Sequence, residues 1–383
     1  SASLTASGGT NYIWNTGSTS ATINVSPATT TTYTVTVTNA NGCSATASGT
    51  VTVNPLPTPS VSAPSPICVG QSATLTASGG TSYQWNTGAN TASITVSPGS
   101  TTTYTVTVTS AAGCSATASG TVTVNPLPTP SVSAPAPICV GQSATLTASG
   151  GTNYQWNTGA NTASITVSPG STTTYTVTVT SAAGCSATAS GTVTVNPLPT
   201  PSVSAPAPIC VGQSASLTAS GGTNYIWNTG STSATINVSP ATTTTYTVTV
   251  TNANGCSATA SRTVTVNPLP TPSVSAPSPI CVGQSATLTA SGGTNYQWNT
   301  GANTASITVS PGSTTTYTVT VTNANGCSAT ASGTVTVNPL PTPSVSAPAP
   351  ICVGQSATLT ASGGTNYQWN TGANTASITV SPG

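Results

Sequence analysis

The sequence predicts an all-β chain, a tandem array of small β-sandwiches arranged head to tail, one per 71-residue repeat. Three observations carry this expectation. Tryptophans fall at Trp14, Trp85, Trp156, Trp227, Trp298 and Trp369, each interval being 71 residues. Within each interval, apolar residues alternate with Thr and Ser at period 2, and turn residues recur about every 8 to 12 positions, the pattern of short strands. No stretch carries a helical period of useful length.

The repeat sets the expected boundaries. Each copy closes on a Pro-rich segment, first seen as Asn54-Pro55-Leu56-Pro57-Thr58-Pro59. Such segments favour extended polyproline II and serve as semi-rigid spacers. Residues 60–125, 131–196, 202–267 and 273–338 are expected to be complete sandwiches. Residues 1–54 lack the first strand and 344–383 lack the last hairpin; 55–59, 126–130, 197–201, 268–272 and 339–343 are linkers. Ser1 falls inside a repeat, so the chain is expected to be a window of a longer one. Residues 1–54 and 214–267 differ only at Gly49 against Arg262. Duplication this close suits a protein whose purpose is length.

Residues 60–125 show how one copy reads. Ser60 to Ala63 is a short first strand, resumed after Pro64 from Ile67 to Val69. Gly70 and Gln71 turn the chain into Ser72 to Ala77, which sets Ala73, Leu75 and Ala77 on one face. Ser82 to Asn86 places Tyr83 and Trp85 on one side and Gln84 on the other, and Asn86-Thr87-Gly88 turns. Thr91 to Val96 buries Ala92, Ile94 and Val96. Thr103 to Thr109 points Tyr104, Val106 and Val108 inward and its four threonines outward. Ser110 to Gly113 makes a hairpin into a last strand from Cys114 to Val124, with Val122 and Val124 inward. The core is thus expected around the six tryptophans and around Tyr104, Tyr175, Tyr246 and Tyr317.

Composition narrows function. The chain has no Asp, Glu, His or Lys, and its one charged side chain is Arg262. General acid–base catalysis needs a group that titrates near working pH, and a serine or cysteine nucleophile needs a base beside it. No enzyme activity is therefore expected. Hard cations need carboxylates and zinc needs Cys and His clusters, so neither metal nor cofactor is expected. Nucleic acid needs a basic patch, and membrane insertion through a helix needs an apolar run far longer than any here. Neither partner is expected.

The repeat resembles the immunoglobulin fold. Gly70 to Ala77 looks like its second strand and Trp85 like its core tryptophan. Tyr104, two residues before Val106, matches the tyrosine corner, and Gly120 to Val124 looks like the last strand. Ala77 and Val106 stand where the usual inter-sheet cysteines would be. With Ile-Cys-Val-Gly-Gln near its start and Asn-Ala-Asn-Gly-Cys or Ser-Ala-Ala-Gly-Cys near its end, the copy is similar to bacterial Ig-like repeats of large Bacteroidota surface proteins. That resemblance implies a secreted or cell-surface chain.

Ten cysteines alternate at spacings of 25 and 46. In an exported β repeat they imply disulfides. In an immunoglobulin-like sandwich Cys68 would lie at the lower end and Cys114 at the upper end. A seven-residue strand spans roughly 23 Å, against the about 4.4–6.8 Å between Cα atoms that a disulfide tolerates. Inter-repeat staples are expected: Cys68 to Cys185, Cys139 to Cys256 and Cys210 to Cys327. Cys43, Cys114, Cys281 and Cys352 would be unpaired within this window. A bond within one sandwich, Cys68 to Cys114, and free or inter-chain thiols remain the alternatives.

The outward positions are Thr, Ser, Asn, Gln and Gly, with no lysine to guard a sheet edge. Near-zero net charge favours association, so self-association into filaments or bundles is the expected partnership. The rows of threonine also suggest an ice-binding face, but sandwich strands twist away from flatness. Asn24 and Asn237 head N-glycosylation triplets. A structural fibre, stalk or surface layer is the expected role. The alternatives are the spacer of an adhesin whose binding domain lies elsewhere, or an accessory module of a secreted polysaccharide-degrading enzyme.

Overall fold

The computed structural model describes residues 1–383, which form strands, turns and bends with no helix. The chain divides into two compact units, Ser1–Asn196 and Pro197–Gly383, and each is built from copies of one immunoglobulin-like sandwich.

In the first unit the sandwich of Trp85 shows the plan. One sheet has Ala73–Ser78 at its centre, flanked by Ser60–Val61 and Ser93–Val96. The other has Thr102–Thr109 at its centre, flanked by Ser82–Trp85 and Ser115–Val122. Both are antiparallel, and the register sets Val106 against Trp85 on one side and Ala118 on the other. A third, parallel pair joins Ile67–Cys68 to Val124–Asn125. Alternation drives the assembly. Ala73, Leu75 and Ala77 are buried from one sheet, and Tyr104, Val106 and Val108 from the other. Trp85, Ile94 and Val122 complete the cluster. The Trp85 indole N–H donates to Thr91 O at 2.9 Å, so the largest core side chain buries no unpaired donor. The first copy, from Ala2–Thr5 to Ser44–Val51, packs Trp14, Ile23, Tyr33 and Val35.

The second unit repeats the plan around Trp227 and Trp298. Residues 344–383 contribute Ser344–Val345, Ala357–Ser362 and Ser377–Val380. They contain no counterpart of Thr102–Thr109. Trp369 therefore has no strand to pair with and is only half-buried, unlike the other five tryptophans.

Several expectations need correction. Ala92 is exposed, because the strand begins at Ser93 and the chain is still turning before it. The expected last strand is two. Ser115–Val122 follows Thr102–Thr109; past Thr123 the chain changes partner, Thr123 O accepting from Ile67 N at 3.0 Å. Tyr104 and Tyr246 are buried, whereas Tyr175 and Tyr317 are half-buried. The corner hydrogen bond is made by Tyr83 rather than Tyr104: its hydroxyl donates to Gly80 O at 3.0 Å. Tyr83 sits three residues beyond that carbonyl, so its ring folds back over the turn.

The uncharged outer faces are tied by hydroxyl pairs across strands. Thr103 meets Thr121 at 2.9 Å, Thr76 meets Ser93 at 3.0 Å and Ser60 meets Ser78 at 2.8 Å. Cross-strand hydroxyl bonds here do the work that opposite charges do elsewhere.

Candidate functional site: the joint between sandwiches

Three local devices bring the joint together, and each is dictated by a short sequence feature. The first is the turn after Cys68. Gly70 takes a positive φ of 86°, which only glycine adopts freely. Gln71 N then donates to Cys68 O at 3.0 Å, while Cys68 N donates to the Gln71 side-chain oxygen at 3.0 Å. Val69 N reaches Asn125 O at 3.1 Å. Cys68 is thereby fixed at the end of its sandwich, level with Asn125, the last residue of the same copy.

The second device is the hairpin ahead of the next copy's last strand. Ser181 N donates to Cys185 O at 2.8 Å, and Cys185 N to the Ser181 hydroxyl at 3.3 Å. The hairpin presents Cys185, fully buried, toward the preceding sandwich, with its sulfur 3.9 Å from Asn125 O. A disulfide joins Cys68 to Cys185 with Cα atoms 5.6 Å apart. In the second unit a disulfide joins Cys210 to Cys327, again at 5.6 Å. There Asn323 replaces the serine: its side-chain oxygen accepts from Cys327 N at 3.0 Å and its amide donates to Pro268 O at 2.9 Å.

Cys114 stands at the far end of its own sandwich. The eleven residue steps from Cys114 to Asn125, at strand rise, cover roughly 36 Å. Its thiol is free and donates to Asn54 O at 3.7 Å, across the joint behind it. Cys43, Cys281 and Cys352 are free as well, whereas Cys139 and Cys256 are disulfide-bonded.

The third device is the Gly79-Gly80 dipeptide, which sequence reasoning passed over. A Cβ on Gly79 would lie 2.4 Å from Thr58 O of the incoming linker, and one on Gly80 would lie 2.4 Å from Val108 Cγ1. The dipeptide is a seat into which linker and strand press. Gly150 receives Thr129 O and Gly292 receives Thr271 O in the same way. Recurrence of Gly-Gly at one place in every copy was the available signal. Gln71 was also missed as an anchor, since glutamine in a turn carries no signature of its own.

With Arg262 the one charged side chain of the protein, geometry and covalency rather than charge hold the joints. The open grooves on the outer faces, such as the one bordered by Tyr83, Gln84, Asn90 and Thr107, offer hydroxyl and amide groups only.

No family model and no curated protein matches the sequence. Among solved structures, the chain is similar to a Ca2+-stabilised adhesin described as helping an Antarctic bacterium reach out and bind ice. The identity is 15%, covering 74% of this chain and 100% of that one, with a TM-score of 0.29. It is also similar to the D1–D4 ectodomain fragment of ICAM-5, at 13% identity over 82% of this chain and 96% of that one, TM-score 0.33. The N-terminal eight Ig domains of DSCAM give 13% identity over 94% and 70%, TM-score 0.19. Values this low carry no argument about function. The fold rests on the strands, registers and cores described above.

Proposed function

We propose that this chain is an extracellular structural polymer, a fibre, stalk or surface layer made of stapled sandwiches bounded as the repeat suggests. The carrying observation is that its disulfides join neighbouring sandwiches: Cys68 to Cys185 and Cys210 to Cys327. A bond inside a sandwich stabilises that sandwich alone; a bond across a joint resists bending and separation of the array. Cys139 and Cys256 are proposed to close a further staple of the same kind.

Disulfides of this density belong to oxidising compartments, which supports a secreted or surface location; kinship with Bacteroidota surface repeats is part of the same proposal. The absence of Asp, Glu, His and Lys supports a non-catalytic role. Lateral self-association into bundles is proposed from the near-zero net charge. A spacer that holds an adhesin's binding domain off the cell would draw on the same joints.

Imaging of the native material tests the reading. A rod with a repeat of roughly 35–45 Å, the length of a strand with its loops and linker, is expected. Globular particles would overturn it.

A further inference from the structure

The cysteine spacings of 25 and 46 divide each copy unequally. The longer stretch, Cys139 to Cys185, holds the strands of Leu146, Trp156, Ile165 and Val177, hence nearly the whole core. The shorter stretch, Cys185 to Cys210, holds only extended pieces: Ser186–Val193, Val195–Asn196, Ser202–Val203 and Ile209–Cys210, joined through the Pro-rich linker. Its two end residues are the ones that carry the cross-joint bonds.

We infer that tension travels through this chain along a covalent cable that bypasses most of each sandwich core, meeting buried core residues only at Val193 and Ile209, so the array holds its length even when its sandwiches unfold. The inference rests on the structural-polymer reading. The path runs from Cys68 through a disulfide to Cys185, along the backbone to Cys210, and through a second disulfide to Cys327. Each bond skips 117 positions. Cys68 and Cys327 are 259 positions apart, yet the cable between them is a backbone run of 25 positions and two disulfides.

Lengths decide the consequence. Fully drawn out, 25 residues reach about 90 Å, and each bond adds its Cα separation of 5.6 Å. The cable therefore ends near 100 Å. Without it, 259 residues would draw out to roughly 900 Å. Its paired pieces are strands, which already rise about 3.3 Å per residue, and a Pro-rich linker of the polyproline II type rises about 3.1 Å, so little slack is stored locally. Two independent local facts support this. The parallel pairing of Ile209–Cys210 with Val266–Asn267 aligns the incoming piece with the outgoing one of the same copy. The prolines remove conformations that would let the segment fold back.

This assigns the cores a different task from the cable. The sandwiches set spacing and stiffness, and small cores of marginal stability suffice because length does not depend on them.

Single-molecule force–extension of the full chain, tethered at its two ends, tests the inference. In non-reducing buffer only the stretches before Cys68 and after Cys327 should lengthen, while the span between those cysteines stays within about 100 Å. Adding a phosphine reductant should release roughly 800 Å more. Cys210→Ser, still oxidised elsewhere, should release roughly 330–420 Å, the lower figure applying if Cys139 and Cys256 are joined. Equal extension with and without reductant would overturn the cable, as would a Cys210→Ser chain no longer than the parent. A globular particle in native material would sink the polymer reading and leave these lengths unchanged, so the two failures are distinguishable.

Discussion

Replacing Gly79 by alanine, with its equivalents Gly150, Gly221 and Gly292, should destabilise the sandwiches by two separable amounts. The backbone amount comes from φ, which is +99° at Gly79; holding an L residue left-handed costs about 1–2 kcal/mol. The steric amount comes from the new Cβ, which would lie 2.4 Å from Thr58 O. A backbone oxygen cannot swing aside as a side chain does, so the linker must leave its seat, at about 1–3 kcal/mol. Together these give roughly 2–5 kcal/mol per sandwich, a large part of the stability of a small domain. The structure supplies both controls. At Gly88 φ is +86° with nothing within 4 Å of the added Cβ, so alanine there should cost the backbone amount alone. At Gly99 φ is ordinary and the space is empty, and Ala28 and Ala241 already occupy that place in two other copies. Alanine at Gly99, Gly170 and Gly312 should be neutral, or stabilising by about 0.4–1 kcal/mol through the unfolded chain. Urea unfolding of the oxidised full chain, followed by tryptophan fluorescence, reads all three sets. Equal losses at Gly79 and Gly88 would refute the claim that the linker presses into the Gly-Gly seat.

Three further outcomes follow from the same joints and surfaces. With no Asp, Glu or His, folding changes proton binding by almost nothing, so the slope of stability against pH is near zero. The melting temperature of the oxidised chain should stay flat from about pH 4 to 8, and a drop of several degrees at the acid end would contradict this. Gln71→Ala, made also at Gln142, Gln213 and Gln284, removes the acceptor for the backbone N–H of Cys68 and its equivalents. It should cost about 0.5–1.5 kcal/mol per sandwich, and an unmoved urea midpoint would show the anchor idle. Asn323→Ser turns the second unit's hairpin into the Ser181 kind and deletes the bond to Pro268 O. The urea midpoint of the oxidised chain should fall by the equivalent of about 1 kcal/mol; an unmoved midpoint would mean that the amide does not hold the linker.

The fold was legible where one side-chain pattern admits one structure. Ala73, Leu75 and Ala77 alternate with Thr74 and Thr76, and only a half-buried strand satisfies that order. Tyr104, Val106 and Val108 behave likewise. Strand ends were less legible: Ala92 has an apolar side chain and its carbonyl accepts from Ala77 N at 2.8 Å, but it lies in the bend before the strand and is exposed, and the turn geometry that sets the start leaves no mark on residue type. The corner tyrosine was misread because both Tyr83 and Tyr104 lie at plausible places. The choice depends on which ring passes near a free carbonyl, a three-dimensional fact set by the Gly80 backbone. At the joint, strand length limits which cysteines can meet. The level of Cys68 against Asn125 appears only once the parallel pairing is known.

The differences between copies follow from the same division of labour. Thr74 faces Thr95 across two strands, their hydroxyls 3.2 Å apart. In two other copies the facing residues are Ser3 with Asn24 and Ser216 with Asn237, a paired change on the outer face. The flanking inward pair does not change: Leu75 faces Ile94, Leu4 faces Ile23 and Leu217 faces Ile236. Outward, Gln84 becomes Ile13 and Ile226, 58% and 57% exposed. The hairpin varies independently, since the Trp298 copy joins a Gln-type face to an Asn-type hairpin. Mixing of this kind is tolerated only if every copy presents the same core and the same joint. The joint needs one cysteine beside a Gly-Gln turn, one after a hairpin, and a Gly-Gly seat. All four complete copies keep these residues, so any copy can follow any other while the cable continues. Arg262 fits this logic: it replaces a glycine on a strand facing Tyr246, remains exposed, and lies outside the joint.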